Sequence, residues 1–193
     1  VQLAHVVNPN LLFKNYLYAS SASPLLVKHF ESFANKMTPK VFVVDIGGND
    51  GILLKRFQDL GSWVLNVDPA KNLKCNVPII RKFFTSKLAK RIVKKYGKAD
   101  LITACNVFAH IDDLDDIVEG VKTLLTDDGI FVIEVANLDQ MLRDGTFDMV
   151  YHEHLNFWSK KAFKKFFELR QMKIKKIEHV ETQGGSLRVY VSK

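Results

Sequence analysis

A doubly wound α/β sheet, with an N-terminal helical extension and a terminal antiparallel strand, is the fold this chain predicts. Three observations carry it. From Val41 onward, short apolar β-branched runs alternate with segments whose apolar residues recur near helical period. A glycine turn follows the first run, and a carboxylate, Asp68, closes the second. The chain then ends in a helical segment and two strand-like runs, which add a hairpin to an otherwise parallel sheet.

Each element has its own local reason. Residues 1–40 have helical character, broken at Ser23-Pro24, a pair suited to an N-cap followed by the first helical position. They form an expected helical lid, and residues 41–193 the main domain. Val41 to Ile46 reads as a strand buried on both faces, and Gly47, Gly48 and Gly51 allow a sharp turn free of side chains. Ile52, Leu53, Phe57 and Leu60 mark a helix to Leu60, and Trp63 to Val67 is strand again. A short strand over Val77 to Ile80, a helix from Ser86 to Tyr96 and a strand from Ala99 to Cys105 follow. The helix from Leu114 to Leu125 has its apolar stripe at Leu114, Ile117, Val118, Val121, Leu124 and Leu125. Asp127-Asp128-Gly129 is expected to turn it into the strand Ile130 to Val135. A polar, irregular loop runs to Trp158, a length typical of functional loops. A helix from Lys160 to Arg170 and strands over Met172 to Glu181 and Ser186 to Val191 close the chain.

Composition narrows the function classes. A chain of 193 residues, 47% hydrophobic and 25% charged, is one globular domain able to bury its own core. Cys75 and Cys105 are too few and too separated for a disulfide framework or structural zinc, which points to a reducing, cytoplasmic setting. No apolar run approaches the roughly 20 residues of a membrane span. The net charge of +7 raises a nucleic-acid reading, with clusters at Lys87, Lys90, Arg91, Lys94, Lys95 and Lys98 and at Lys160, Lys161, Lys164 and Lys165. Both clusters lie on amphipathic helical patterns, so solvated outer faces explain them more simply and no nucleic-acid partner is expected.

The stretch D-I-G-G-N-D-G, Asp45 to Gly51, with Asp68 roughly 20 residues on, is placed to hold an adenosine-type ligand by its ribose hydroxyls. It lacks the G-x-G-x-x-G spacing that brings backbone amides up to a pyrophosphate. S-adenosylmethionine has no phosphate, so the looser turn suits it. Asp45, Gly47, Gly48, Asn49 and Asp68 are therefore expected to bind that cofactor. Asn106, at the carboxyl edge of the fourth strand, is expected to touch the cofactor or the substrate and is counted with the cofactor residues. Phe83 and Phe84 are placed either to stack near the adenine or to fill the core.

Four pieces occur in order: N-Y-L-Y-A-S-S at Asn15 to Ser21, the glycine turn, N-V-F-A-H-I at Asn106 to Ile111, and Y-H-E-H-L-N-F-W at Tyr151 to Trp158. The tail G-G-S-L-R-V-Y-V follows at Gly184 to Val191. Together they resemble the S-adenosylmethionine-dependent C-methyltransferases that act on nucleotide-linked 4-keto-deoxysugars. The resemblance implies a class I methyltransferase fold and a small-molecule sugar-nucleotide substrate. That family usually adds a cysteine-rich zinc module and a C-terminal domain, which this chain lacks. It is expected either to be a core with further domains in a longer protein or to be a reduced relative. Asp68 stands where many relatives have glutamate, which keeps the carboxylate.

Methylating carbon next to a ketone requires a base and a group that steadies the enolate. The resemblance assigns the base to His154, the last histidine of Y-H-E-H, a side chain whose ordinary pKa lies near neutrality. Glu153 would fix the His154 tautomer or polarise the substrate, while Tyr151 and His110 would donate to the enolate oxygen. Tyr16, Tyr18 and Ser20 of the N-terminal segment, and Arg188 of the tail, are expected at the substrate. His152 and His154 with Glu153 or Asp148 could ligate a metal, but the resemblance calls for none. His5, His29 and His179 lack a motif and read as surface or packing residues. Two other readings stay open: a methyltransferase for another acceptor, a small metabolite or RNA, and a non-catalytic module that binds the cofactor within a larger protein.

Overall fold

The computed structural model describes residues 5–37 and 41–193. Seven strands form one sheet: β1 (Phe42–Ile46), β2 (Trp63–Val67), β3 (Ile79–Ile80), β4 (Ala99–Cys105), β5 (Leu125–Ala136), β6 (Lys173–Val180) and β7 (Ser186–Ser192). Their order is β3-β2-β1-β4-β5-β7-β6. The first five are parallel, and β7 runs antiparallel between β5 and β6.

Side-chain alternation splits the core into two layers. Val43, Val64, Leu101 and Val132 pack with Phe30 and Phe33 of α2 (Pro24–Lys36) and Leu54 and Phe57 of α3 (Ile52–Asp59). Val44, Leu65, Ile102, Phe131 and Ile133 face the other way. They meet α4 (Ser86–Tyr96), α5 (Leu114–Leu124) and α7 (Lys160–Leu169) through Leu88, Ile92, Val118, Val121, Phe163 and Phe167. Helices α2, α4, α5 and α7 start at side-chain caps, as Ser23, Thr85, Asp113 and Ser159 accept from Leu26, Leu88, Asp116 and Ala162 backbone N–H groups. Among the described residues, no helix is long and apolar enough to cross a membrane.

The sequence expectations differ from this fold at a few places. Residues 1–4 and 38–40 of the expected lid segment lie outside the described residues. In its described part, a short helix, α1 (Pro9–Phe13), and α2 flank the non-helical residues Asn15 to Ala19. The third strand is only Ile79–Ile80, because just these residues pair with β2. Asp127-Asp128-Gly129 does not separate helix from strand. Leu125 already pairs with Ala99 and Ile130 with Leu101, so the turn residues form a bulge inside β5. The loop before Trp158 holds a further helix, α6 (Leu138–Asp144), capped by the Asn137 side chain and ended by Gly145 with φ +66°.

Strand order reverses between β1 and β4, where open α/β sheets place their ligand crevice. A cavity of about 410 Å³ opens there, lined by Ile46, Gly47, Val67, Asp68, Cys105, Asn106, Val135 and Ala136 at the carboxyl ends of the strands.

Candidate active site

The glycine turn is shaped by close approach. Gly47 has φ +67°, and a Cβ there would overlap Val107 Cγ2. Its amide donates to the Val67 carbonyl at 2.8 Å, tying the ends of β1 and β2 together. Asp68 accepts from the Asn49 amide at 2.9 Å and the Ala70 amide at 2.8 Å, one on each oxygen, so each oxygen keeps a lone pair for a ligand hydroxyl. Burial raises its carboxyl pKa, and those two amides lower it in partial compensation. Asn106, with φ +57°, lines the cavity, and its Oδ1 has no hydrogen-bond partner among the described residues. A buried acceptor left open in the same cavity as a carboxylate with spare lone pairs fits a ligand that brings an ammonium group and a ribose diol.

Two of the turn residues expected at the cofactor, Asp45 and Gly48, do not line this cavity. Asp45 lies behind the turn, accepting from Thr103 Oγ1 at 2.6 Å, and a Cβ on Gly48 would sit 2.7 Å from Asp45 Oδ2. Neither lines the cavity, because the backbone at Gly48 separates the carboxylate from it. Burial pushes the Asp45 carboxyl up to about 7. Asn49 lines the cavity, yet its side chain is engaged: Nδ2 donates to the Tyr18 carbonyl at 2.9 Å and Oδ1 accepts from the Ser20 amide at 3.0 Å. Phe83 and Phe84 both line the cavity, but Phe84 is core, set against α5 where a Cβ on Gly120 would meet its ring at 2.7 Å.

Opposite the turn, the segments 106–111 and 151–158 are brought together. The Leu155 and Asn156 amides both donate to the Ala109 carbonyl, at 2.8 and 3.0 Å, and Asn156 Nδ2 donates to the Ile111 carbonyl at 2.5 Å. Trp158 anchors the far end, stacked on Phe163 with centroids 4.5 Å apart. The result is a histidine pair, His110 and His154, with ring centroids 5.0 Å apart. His154 Nδ1 lies 2.7 Å from the Met149 carbonyl, an acceptor that requires a proton on Nδ1. In the neutral ring Nε2 therefore carries the lone pair, and the Tyr151 hydroxyl donates to it at 3.2 Å.

Burial, then the neighbouring His154, pulls His110 down to about 4, so it is a neutral ring at physiological pH. Its Nδ1 lacks a partner among the described residues, and Phe13 packs edge-on against it at 5.6 Å. Burial and then Glu153 raise the Tyr151 phenol and, further, the Tyr16 phenol. Both therefore remain donors.

Glu153 does not set the His154 tautomer. It accepts from the Tyr16 hydroxyl at 3.2 Å, and the Met149 carbonyl takes the orienting role. No sequence signal announces a backbone carbonyl. Tyr16, Tyr18 and Ser20 line the cavity, with Tyr18 and Ser20 bound to Asn49 through main-chain groups. Sequence reading also missed the apolar wall of Val6, Val7, Leu12 and Phe13 and the carboxylates Asp112, Asp113 and Asp116. Asp113 and Asp116 carry a signal, an acidic helix start, that reads simply as capping.

Arg188 is not at the cavity. It is 3% exposed in the middle of β7, opposite Glu134 of β5, and donates to Glu134 Oε2 from Nη2 at 2.7 Å and Nε at 2.9 Å. Its guanidinium also lies over Phe33 of α2 at 4.2 Å. His29 of α2, expected at the surface or in plain packing, joins them with Nε2 2.8 Å from Glu134 Oε1. Burial alone would raise the Glu134 carboxyl, but His29 and Arg188 more than offset it and hold it low. This cluster binds α2 to the sheet.

A doubly wound sheet with an antiparallel terminal strand and a cavity over a glycine turn defines the class I methyltransferase architecture. Residues 19–176 match the family described as "Methyltransferase domain", and the chain belongs to it. That family uses S-adenosylmethionine, in keeping with the enzyme class and cofactor expected from the turn. The chain is 30% identical over 201 residues to C-methyltransferase NovU of Streptomyces niveus, covering 98% of this chain and 48% of that protein. It spans about half the length of the curated relatives it matches. Among solved structures, the PH0226 protein of Pyrococcus horikoshii OT3 superposes with a TM-score of 0.71 at 15% identity, covering 91% of this chain and 94% of that one. A SAM dependent methyltransferase from Archaeoglobus fulgidus gives 0.70 at 15% identity, covering 88% and 93%. These likenesses carry the fold.

Proposed function

We propose that this domain transfers a methyl group from S-adenosylmethionine to the carbon beside the ketone of a nucleotide-linked 4-keto-deoxysugar, with His154 as the base. The observation that carries this reading is the state of His154: Nδ1 is committed to a carbonyl, and the unprotonated Nε2 of this cavity-lining ring accepts from the Tyr151 hydroxyl, a bond an acceptor can exchange. The similarity to a protein named as a C-methyltransferase supports carbon as the methyl's destination.

Bound S-adenosylmethionine supplies a methyl group made electrophilic by its sulfonium. Asp68 would hold the ribose hydroxyls and the Asn106 Oδ1 the ammonium group, while Gly47 lets the turn pack closely against Val107. Nε2 of His154 takes the proton from the acceptor carbon, and the electron pair of that C–H bond moves toward the ketone oxygen. Tyr151, kept protonated by burial and by Glu153, is positioned to donate to that oxygen once its bond to His154 is exchanged. His110, uncharged beside it, lets His154 take the proton without a second cation nearby. The apolar wall from Val6 to Phe13 keeps water from the carbanion. The electron pair would form the new carbon–carbon bond as the methyl–sulfur bond breaks, the pair of that bond staying on sulfur as a neutral thioether, and the proton on His154 returns to solvent.

His154→Asn tests the assignment. We expect turnover on UDP- and dTDP-linked 4-ketosugars to fall by about a hundredfold or more, with S-adenosylmethionine affinity unchanged. Unaltered turnover would remove His154 as the base. Calorimetry showing that the wild-type chain does not bind S-adenosylmethionine would overturn the reading as a whole.

A further inference from the structure

We propose that Lys14 and Lys71 form a phosphate-binding rim beside the cavity, holding the phosphate arm of an acceptor whose reacting carbon lies inside. The proposal deepens the acceptor reading above and rests on it. It begins from a charge asymmetry. The chain has 28 lysines and arginines and a net charge of +7. Yet among the described residues none lines the cavity, whereas Asp68, Asp112, Asp113, Asp116 and Glu153 do. A phosphate ester taken into such a cavity would lose water and meet carboxylates in place of cations, which is strongly unfavourable. The sulfonium of the methyl donor and an uncharged ketosugar suit the same walls. Any phosphate on the acceptor must therefore stay outside and find its cations there.

Exposed lysines flank several lining residues, Lys82 beside Phe83 among them, and one pair at the edge is tied together through the backbone. Lys14 follows the lining residue Phe13, and Lys71 comes two residues after the lining residue Pro69. The two are joined, since the Lys71 amide donates to the Lys14 carbonyl at 2.9 Å. Next to them Asn72 Nδ2 donates to the Tyr16 carbonyl at 2.8 Å. The Arg81 guanidinium clasps the same loop, donating to the Ala70 carbonyl and to the Leu73 carbonyl at 2.6 Å, so Lys71 stands on a braced segment. Both lysines are exposed, and among the described residues neither is in an ion pair. From this pair the contacts run inward through Tyr16, whose hydroxyl meets Glu153 beside His154. Two exposed lysines on hydrogen-bonded backbone segments, neither with a carboxylate partner among the described residues, offer their charges to a dianion, which would make charge-assisted hydrogen bonds to both ammonium groups.

The test uses the 193-residue chain with S-adenosylhomocysteine present, and uridine diphosphate (UDP) as the probe in calorimetry. Wild type should bind UDP, with inorganic pyrophosphate competing. The double variant Lys14→Ala/Lys71→Ala should weaken UDP by about tenfold or more, while Lys14→Arg/Lys71→Arg retains it within about threefold. S-adenosylmethionine affinity and melting temperature should be unchanged in both variants, because the side chains are exposed. On a sugar-nucleotide acceptor the alanine variant should raise KM and leave kcat unchanged. UDP affinity equal in wild type and the alanine variant, or no UDP binding by wild type, overturns the rim. UDP binding that depends on the lysines, with no methyl transfer to any 4-ketosugar nucleotide, supports the rim and overturns the acceptor reading instead.

Discussion

Replacing Asp45 by Asn isolates the energetic consequence of a carboxylate buried behind the ligand-binding turn. Asp45 is 3% exposed, and burial pushes its carboxyl from 3.8 up to about 7, with Thr103 lowering it and Asp68 raising it. Between these values the unfolded chain has Asp45 ionised while the folded chain keeps the proton. Folding therefore takes up a proton, and this group's contribution to stability falls as pH rises from about 4 to about 7. The shift of about three units corresponds to at most roughly 4 kcal/mol, since water entering on ionisation relaxes the penalty. Asn keeps an oxygen for the Thr103 hydroxyl and has no proton to lose. In urea unfolding at several pH values, the variant should gain about 2–3 kcal/mol on wild type between about pH 5 and pH 7, and no more above about pH 8. Parallel pH profiles for the two proteins would refute the reasoning, because they would mean that Asp45 is ionised in the native fold throughout.

Gly47→Ala puts a Cβ into Val107 at φ +67°, and we expect about 1–2 kcal/mol of lost stability and at least about tenfold weaker S-adenosylmethionine binding, read by melting and calorimetry. Arg188→Met leaves the Glu134 charge buried with His29 and the Thr182 hydroxyl as its remaining side-chain partners, so denaturant unfolding should show a loss of about 3–5 kcal/mol. Adding Glu134→Gln should recover part of that loss. His110 has a folded pKa near 4 against 6.5, so the unfolded chain binds more protons in that window and stability rises with pH across it. Its ring carbon protons should accordingly show no titration in NMR spectra between about pH 5.5 and pH 8, and a midpoint near 6.5 would contradict its burial.

The parallel part of the fold was legible because each buried strand is a run of β-branched and aliphatic residues, a signal that packing reinforces. Local turn chemistry misled where long-range pairing won. Asp127-Asp128-Gly129 has every feature of a turn, but the pairing of Leu125 with Ala99 begins the strand before it. Helix α6 carries its signal only in the Asn137 cap, too weak to stand out in a polar stretch. For the site, the motifs named the residues that meet, yet not what orients them. The Met149 carbonyl in place of Glu153 is a backbone group and invisible to residue type. Arg188 shows the opposite limit. Its alternation with Leu187 and Val189 gives the face it occupies, but nothing in the sequence says that α2 covers that face or that Glu134 lies directly across.

The glycine turn emerges as an organiser of two neighbours. Its backbone meets Asp68, while the side chains of Asn49 and Asp50 hold the N-terminal segment through the Tyr18 carbonyl and the Ser20 and Ser21 amides. That segment carries Tyr16, which reaches Glu153 on the far wall. A residue expected to touch ligand with its side chain thus fastens the segment that closes over it. The backbone shape of the turn and the placement of Tyr16 are therefore one structural unit. A substitution at Asn49 would act on both walls of the cavity at once, through main-chain hydrogen bonds and without contact to the reacting atoms.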